Sequence, residues 1–115
     1  MLTKQHRLKK NKDFELVFKR GKTFDSKFLF LKIIKRNNLK VSRFGLVVGT
    51  KISKKATIRN KIKRRLRDVI RKRLEDIKPG FDVIIVAKTL VVDKSYQEIK
   101  EELEGLLEKA GILKL

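Results

Sequence analysis

The spacing of apolar residues along the chain alternates between helical periods and short continuous apolar runs. In "NKDFELVFKRG", Phe14, Val17 and Phe18 fall at i, i+3 and i+4. Asn11 is placed to cap this helix, Asp13 suits its first turn, and Lys19, Arg20 and Gly21 its end. "FDSKFLFLKIIKR" is rich in aromatic and β-branched residues and reads as one strand. Asn37-Asn38 in "NNLK" predicts a tight hairpin turn, with "RFGLVVG" as the returning strand. Ile58, Ile62, Leu66, Val69 and Ile70 then form a single helical stripe, which "KPG" at Lys78–Gly80 terminates. "FDVIIVAK" has the unbroken apolar character of a central strand buried on both faces. Tyr96, Ile99, Leu103, Leu106, Leu107 and Ala110 line one face of a last helix ending at Gly111, with Gly105 as an internal weak point. The order helix, strands, helix, strand, helix predicts a small α+β sandwich, one sheet with helices on its apolar face.

Composition changes this picture in one respect. The 115 residues suit one domain, 1–115, and 41% hydrophobic content is globular. But 32 Lys and Arg stand against 13 Asp and Glu, a net charge of +19. Such an excess destabilises the compact state by self-repulsion and attracts polyanions, either nucleic acid or an anionic membrane surface. Residues 1–10 form a basic, aperiodic arm. The absence of cysteine excludes disulfides and thiolate metal sites. Without an apolar run of membrane-spanning length or a secretory signal, the expected location is cytoplasmic.

The charge concentrates in "KISKKATIRNKIKRRLRDVIRKR", 51–73, which holds twelve Lys and Arg and one Asp. At 100° per residue, Ile58, Ile62, Leu66 and Val69 lie within about 80° of one another. Asn60, Arg64, Arg67 and Arg71 lie opposite, at about 200°, 240°, 180° and 220° from Ile58. Lys61, Arg65 and Lys72 occupy one flank, Arg59 and Lys63 the other. Like-charge pairs at i,i+4 (Arg59–Lys63, Lys61–Arg65, Lys63–Arg67, Arg67–Arg71) each cost a few tenths of a kcal/mol. Arg59 and Lys61 near the helix start also oppose its dipole. Arg64–Asp68 and Arg71–Glu75 pairs would offset little of this. A helix with this pattern gains from a row of phosphates, which turns repulsion into shared attraction and releases counterions.

The chemistry favours RNA among the polyanions. The apolar stripe is needed for the core and carries no large residues set to enter lipid. A DNA-reading helix would carry Gln, Asn or Ser among its arginines to reach base edges, and only Asn60 is of that kind. A-form RNA is met by shape and backbone contacts, which a ridge of Arg and Lys can make.

At this stretch the chain resembles the bacterial ribonuclease P protein family. "ATIRNKIKRRLR" is similar to that family's arginine-rich signature, R-N-x-x-K-R with a further Arg. "LKKNKDFELVFKRGK", "RFGLVVGTKISKK" and "KPGFDVIIVAK" resemble its flanking segments in order. The resemblance implies a two-layer α/β sandwich with a mixed four-stranded sheet and a left-handed βαβ crossover around the basic helix, like ribosomal protein S5 domain 2. The residues alone would give the common right-handed crossover. It implies the protein subunit of an endoribonuclease that removes the 5′ leader of precursor transfer RNA. Catalysis would belong to an RNA partner holding Mg²⁺, and the protein would bind no cofactor firmly. The RNA-binding loop and helix would span 51–74, with Lys51, Lys54, Lys55, Arg59, Asn60, Lys61, Lys63, Arg64, Arg67 and Arg71 facing RNA. Phe14 and Phe18 would hold the leader, although their helical spacing alone reads as core. No membrane and no obligatory protein partner is expected.

The polypeptide offers little for catalysis of its own. His6 is the only histidine, and the acids cluster in the last helix at Glu98, Glu101, Glu102, Glu104 and Glu108. No residue set is assigned to a metal. A structural protein on ribosomal RNA would carry the same charge signature and is the alternative reading.

Overall fold

The computed structural model describes residues 4–114. The described residues form 3₁₀ turns at Lys4–His6, Leu74–Asp76 and Thr89–Asp93, and three α-helices and four strands: α1 (Asn11–Arg20), β1 (Lys22–Asp25), β2 (Leu29–Lys35), β3 (Arg43–Val47), α2 (Ala56–Arg73), β4 (Phe81–Ala87) and α3 (Tyr96–Lys109). The four strands form one mixed sheet in the order β1-β2-β4-β3. The α+β expectation therefore holds, with corrections to pairing.

β4 sits between β2 and β3. It runs antiparallel to β2, Leu29 opposite Ala87 through Lys35 opposite Phe81, and parallel to β3, Arg43 opposite Asp82 through Val47 opposite Val86. The predicted hairpin at Asn37-Asn38 is absent, and neither Asn adopts a positive φ. The physical reason is the apolar run of β4: Val83, Ile84 and Ile85 are fully buried, and only a central position covers both faces. β3 then reaches its parallel partner only through a long crossover, which α2 supplies. The stretch read as one strand is also a hairpin. Ser26 N–H donates to the Leu29 carbonyl at 3.0 Å, and β1 folds onto β2 with Lys22 opposite Ile33. Asp25-Ser26-Lys27 carries the turn chemistry.

Alternation along β4 divides the core. Val83, Ile85 and Ala87 join the cluster containing Ile62, Leu66, Val69 and Ile70 of α2 and Ile99, Leu103, Leu106 and Leu107 of α3. Ile84 points to the other face, where Leu8 and Val17 are buried with Phe14, Ile34, Val47 and Val86 beside them. Helices thus cover both faces, not one as expected. Each fully buried aliphatic side chain contributes about 1.5–3 kcal/mol.

The helix ends differ in quality. α3 begins with a reciprocal capping box: Ser95 Oγ accepts from Glu98 N–H at 3.2 Å, and Glu98 Oε1 accepts from Ser95 N–H at 3.0 Å. α1 and α2 are preceded by Lys10 and Lys55, neither of which makes a side-chain cap. Asn11 lies inside α1 and is not its cap. Gly21 closes α1 through its N–H on the Val17 carbonyl at 2.7 Å, and a Cβ there would collide with that same oxygen.

An irregular arm was expected at 1–10; residues 1–3 lie outside the described residues, and the following segment is docked. Arg7 bridges to Phe44 in parallel, Leu8 N–H donates to the Phe44 carbonyl at 2.9 Å, and Leu8 is buried. Edge strand β3 is covered there.

Candidate nucleic-acid interface

The interface begins at the loop before α2. Ile52 N–H donates to the Gly49 carbonyl at 3.0 Å, and Lys55 N–H to Ser53 Oγ at 3.2 Å. Arg59 Nη1 donates to the Ser53 carbonyl at 2.8 Å and ties the loop back onto the helix. Lys51, Lys54 and Lys55 are thereby displayed on a folded loop, all exposed. Arg59 itself is half-buried and engaged in this positioning.

On α2 the stripe and the ridge separate as their spacing predicts. Asn60, Lys61, Arg64 and Arg71 are exposed, and Lys63 and Arg67 half-buried. Among the described residues, Lys51, Lys54, Lys55, Lys61, Lys63, Arg64 and Arg67 make no salt bridge. Other cations of the helix are engaged. Arg65 Nη1 donates to the Lys94 carbonyl at 2.9 Å, and Arg73 lies 3.5 Å from Glu104 and 3.6 Å from Asp76.

Asp68 is the one acid in the ridge. The expected pair with Arg64 is not formed. Asp68 Oδ1 accepts from Arg71 at 2.6 Å, and Oδ2 accepts from the Tyr96 hydroxyl at 2.6 Å and lies 3.2 Å from Lys72 Nζ. The Tyr96 hydrogen bond, then that of Arg71, holds the Asp68 carboxyl well below the usual carboxylate range. The same bond to Asp68 raises the Tyr96 hydroxyl. Lys72 Nζ stands 5.5 Å from the Tyr96 ring centroid. Asp68 and Tyr96, with Lys61, Arg64, Arg65, Arg67 and Arg71, line an open groove of about 580 Å³ between α2 and the start of α3.

A second recess of about 310 Å³ lies by the edge of β3. Leu8, Phe14, Phe44, Gly45 and Leu46 line it, and Arg67 borders both recesses. The Phe14 ring lies so close over Gly45 that a Cβ there would strike it. Phe14 is half-buried, while Phe18 is 40% exposed, with Lys32 Nζ donating to its carbonyl at 3.3 Å. The spacing of the two aromatics concealed this difference.

Sequence reasoning missed the cluster that fixes α1 on the sheet. Fully buried Asp82 accepts from Arg43 at 2.7 and 2.8 Å and from Arg36 at 3.0 Å. Asp13 of α1 lies 3.5 Å from each arginine. Hydrogen bonding to Asp82 raises the Arg43 guanidinium above its ordinary value. The four residues are far apart in sequence, and no local pattern marks them. His6 Nδ1 hydrogen-bonds the Ser42 carbonyl at 3.0 Å. Among the described residues, no group of three or more His, Cys, Asp or Glu could hold a metal, and no helix is long and apolar enough to cross a membrane.

This architecture has close counterparts. A family model described as Ribonuclease P matches residues 2–111. The chain is 40% identical over 112 residues to the Ribonuclease P protein component of a Synechocystis species, covering 97% of this chain and 90% of that one. It is 38% identical over 110 residues to the component from Clostridium botulinum, covering 95% and 97%. The RNase P protein of Staphylococcus aureus superposes with a TM-score of 0.88 at 28% identity over 95% of this chain and 98% of that one. That of Thermotoga maritima superposes with a TM-score of 0.81 at 32% identity over 90% and 96%. The chain belongs to the ribonuclease P protein family, the protein subunit of a transfer-RNA-processing endoribonuclease whose catalysis is carried by RNA.

Proposed function

We propose that the loop at 51–55 and the outer ridge of α2 bind the catalytic RNA subunit, and that Phe14, in the recess by the edge of β3, and the exposed Phe18 receive the 5′ leader of precursor transfer RNA. The observation that carries this reading is the row Lys61, Arg64 and Arg67. These cations stand at the surface of a helix that gives them no acidic partner. Their mutual repulsion is a cost to the free protein that a phosphate backbone removes. The leader assignment draws support from the exposure of Phe18: an aromatic side chain open to solvent on a basic protein is a platform for single-stranded bases.

Mg²⁺ belongs, in this reading, to the RNA. The one acid in the ridge is Asp68, already bonded to Tyr96 and Arg71, and it offers no multi-carboxylate ligand set. The protein's part is to bring RNA elements together and lower their repulsion, in the cytoplasm and without an obligatory protein partner. Ribosomal RNA would be attracted by the same charges, but family membership favours the ribonuclease P RNA.

Reconstitution tests this. Protein, cognate catalytic RNA and precursor transfer RNA at low Mg²⁺ should give correct 5′ cleavage only together. If six to ten phosphates are contacted, affinity for the catalytic RNA should fall about 10³–10⁵-fold between 50 and 200 mM salt. A flat salt response, or no effect of protein on cleavage, refutes the assignment.

A further inference from the structure

We propose that the groove between α2 and the start of α3 is a pocket for one unpaired guanine nucleotide of the RNA partner, with its phosphate on Lys61 and Arg64 and its base edge on Asp68. The inference rests on the RNA-binding reading of the ridge and goes beyond it, because a ridge that only neutralises backbone has no use for a carboxylate.

Asp68 is the starting observation. It lies in a groove otherwise lined by five cations and Tyr96, and there a negative charge opposes any polyanion. Its bonds are unequal in permanence. Tyr96 is half-buried and anchored by its ring in the core cluster, so its 2.6 Å hydroxyl bond fixes the carboxylate. Arg71 and Lys72 are 47% and 57% exposed, and ion pairs of such side chains are weak and readily exchanged. Phosphates arriving on α2 compete for both cations. The carboxylate then keeps Tyr96 and turns acceptor lone pairs to the groove, which need donors.

Among the four bases, guanine alone presents two adjacent donors, N1–H and the N2 amino group, spaced for the two oxygens of a carboxylate. Those groups are free only when the base is unpaired. The volume, about 580 Å³, is within the range of small-molecule pockets. Arg64 and Asp68 are separated by one helical turn, about 5–6 Å, so one nucleotide reaches both. Asp68 therefore acts in specificity and Tyr96 as the residue that positions it.

The test uses the full chain and three fluorescent pentaribonucleotides at low salt: UUGUU, UUAUU, and UUIUU, in which inosine lacks the N2 amino group. Wild-type protein should bind UUGUU about tenfold more tightly than UUAUU, with UUIUU between them, as a bidentate base contact gives. In Asp68→Asn the two effects cross: UUAUU binds more tightly because a repelling charge is gone, while the preference for UUGUU is lost. A merely structural role for Asp68 would move all three oligonucleotides alike. Equal binding of the three by wild-type protein overturns the guanine pocket. So does failure to bind any of them while the long catalytic RNA is still held, and in both cases the ridge reading stands. Loss of the long RNA as well sinks both.

Discussion

Arg43 and Arg64 are the same residue type put to opposite uses. Arg43, on β3, is 22% exposed and doubly bonded to Asp82, within a cluster that also holds Arg36 and Asp13. Arg64, on α2, is exposed and makes no salt bridge among the described residues. In the first region every charge is answered inside the protein, and the product is a fixed placement of α1 against the sheet. In the second the charges are left open, and the product is affinity for something outside. A strongly basic composition is therefore two populations of cations, and only their surroundings tell them apart.

The sharpest way to break this contrast is Asp82→Ala. It removes the buried carboxylate that Arg43 and Arg36 share, leaving them only Asp13 at 3.5 Å, and should cost about 3–5 kcal/mol of stability in urea unfolding. A loss below about 1 kcal/mol would mean the cluster is ornamental. Lys61→Ala with Arg64→Ala should do the reverse. Both side chains are exposed, so the melting temperature should hold or rise. Affinity for the catalytic RNA should fall at least about tenfold, and the logarithmic salt slope should shrink by about 2. A destabilised double variant with unchanged RNA affinity would erase the distinction.

Asp68 lies between the two populations and sharpens the comparison through pH. Its carboxyl titrates below the ordinary Asp value of 3.8, chiefly through the Tyr96 bond. A lowered folded-state value means a stabilising contribution present above the unfolded value and lost as the pH falls through the folded one. Asp68→Asn should therefore cost about 1 kcal/mol at pH 7, with the gap to wild type closing in strong acid. A gap that persists below both values would point to lost packing. An effect no larger, and of opposite sign, is expected at Gly105, where a Cβ would meet nothing within 4 Å. Gly105→Ala should add about 1 kcal/mol of stability and leave RNA affinity alone.

The legible parts of the molecule were those written within one element. The stripe Ile62, Leu66, Val69 and Ile70 and the outward face of Arg64 follow from 3.6-residue periodicity, and the structure keeps both. The buried character of β4 was equally plain. Its position between β2 and β3 was not, because strand order depends on which pairing buries most surface and leaves no local mark. The partnership of Asp68 with Tyr96 crosses 28 positions, and that of Arg43 with Asp82 crosses 39. Arg59 and Arg65 looked like cations of the two flanks, yet each donates to a backbone carbonyl of a neighbouring segment. That use of arginine is invisible until the chain has folded around it.

The docking of Leu8 onto Phe44 has a further consequence. A bare strand edge invites another chain to extend the sheet, and many basic proteins are kept apart by mutual repulsion. That safeguard fails once a polyanion gathers several copies and cancels their charge. An edge bridged at Phe44 by Arg7 and Leu8 keeps that protection under those conditions, where crowding on RNA would otherwise favour polymerisation.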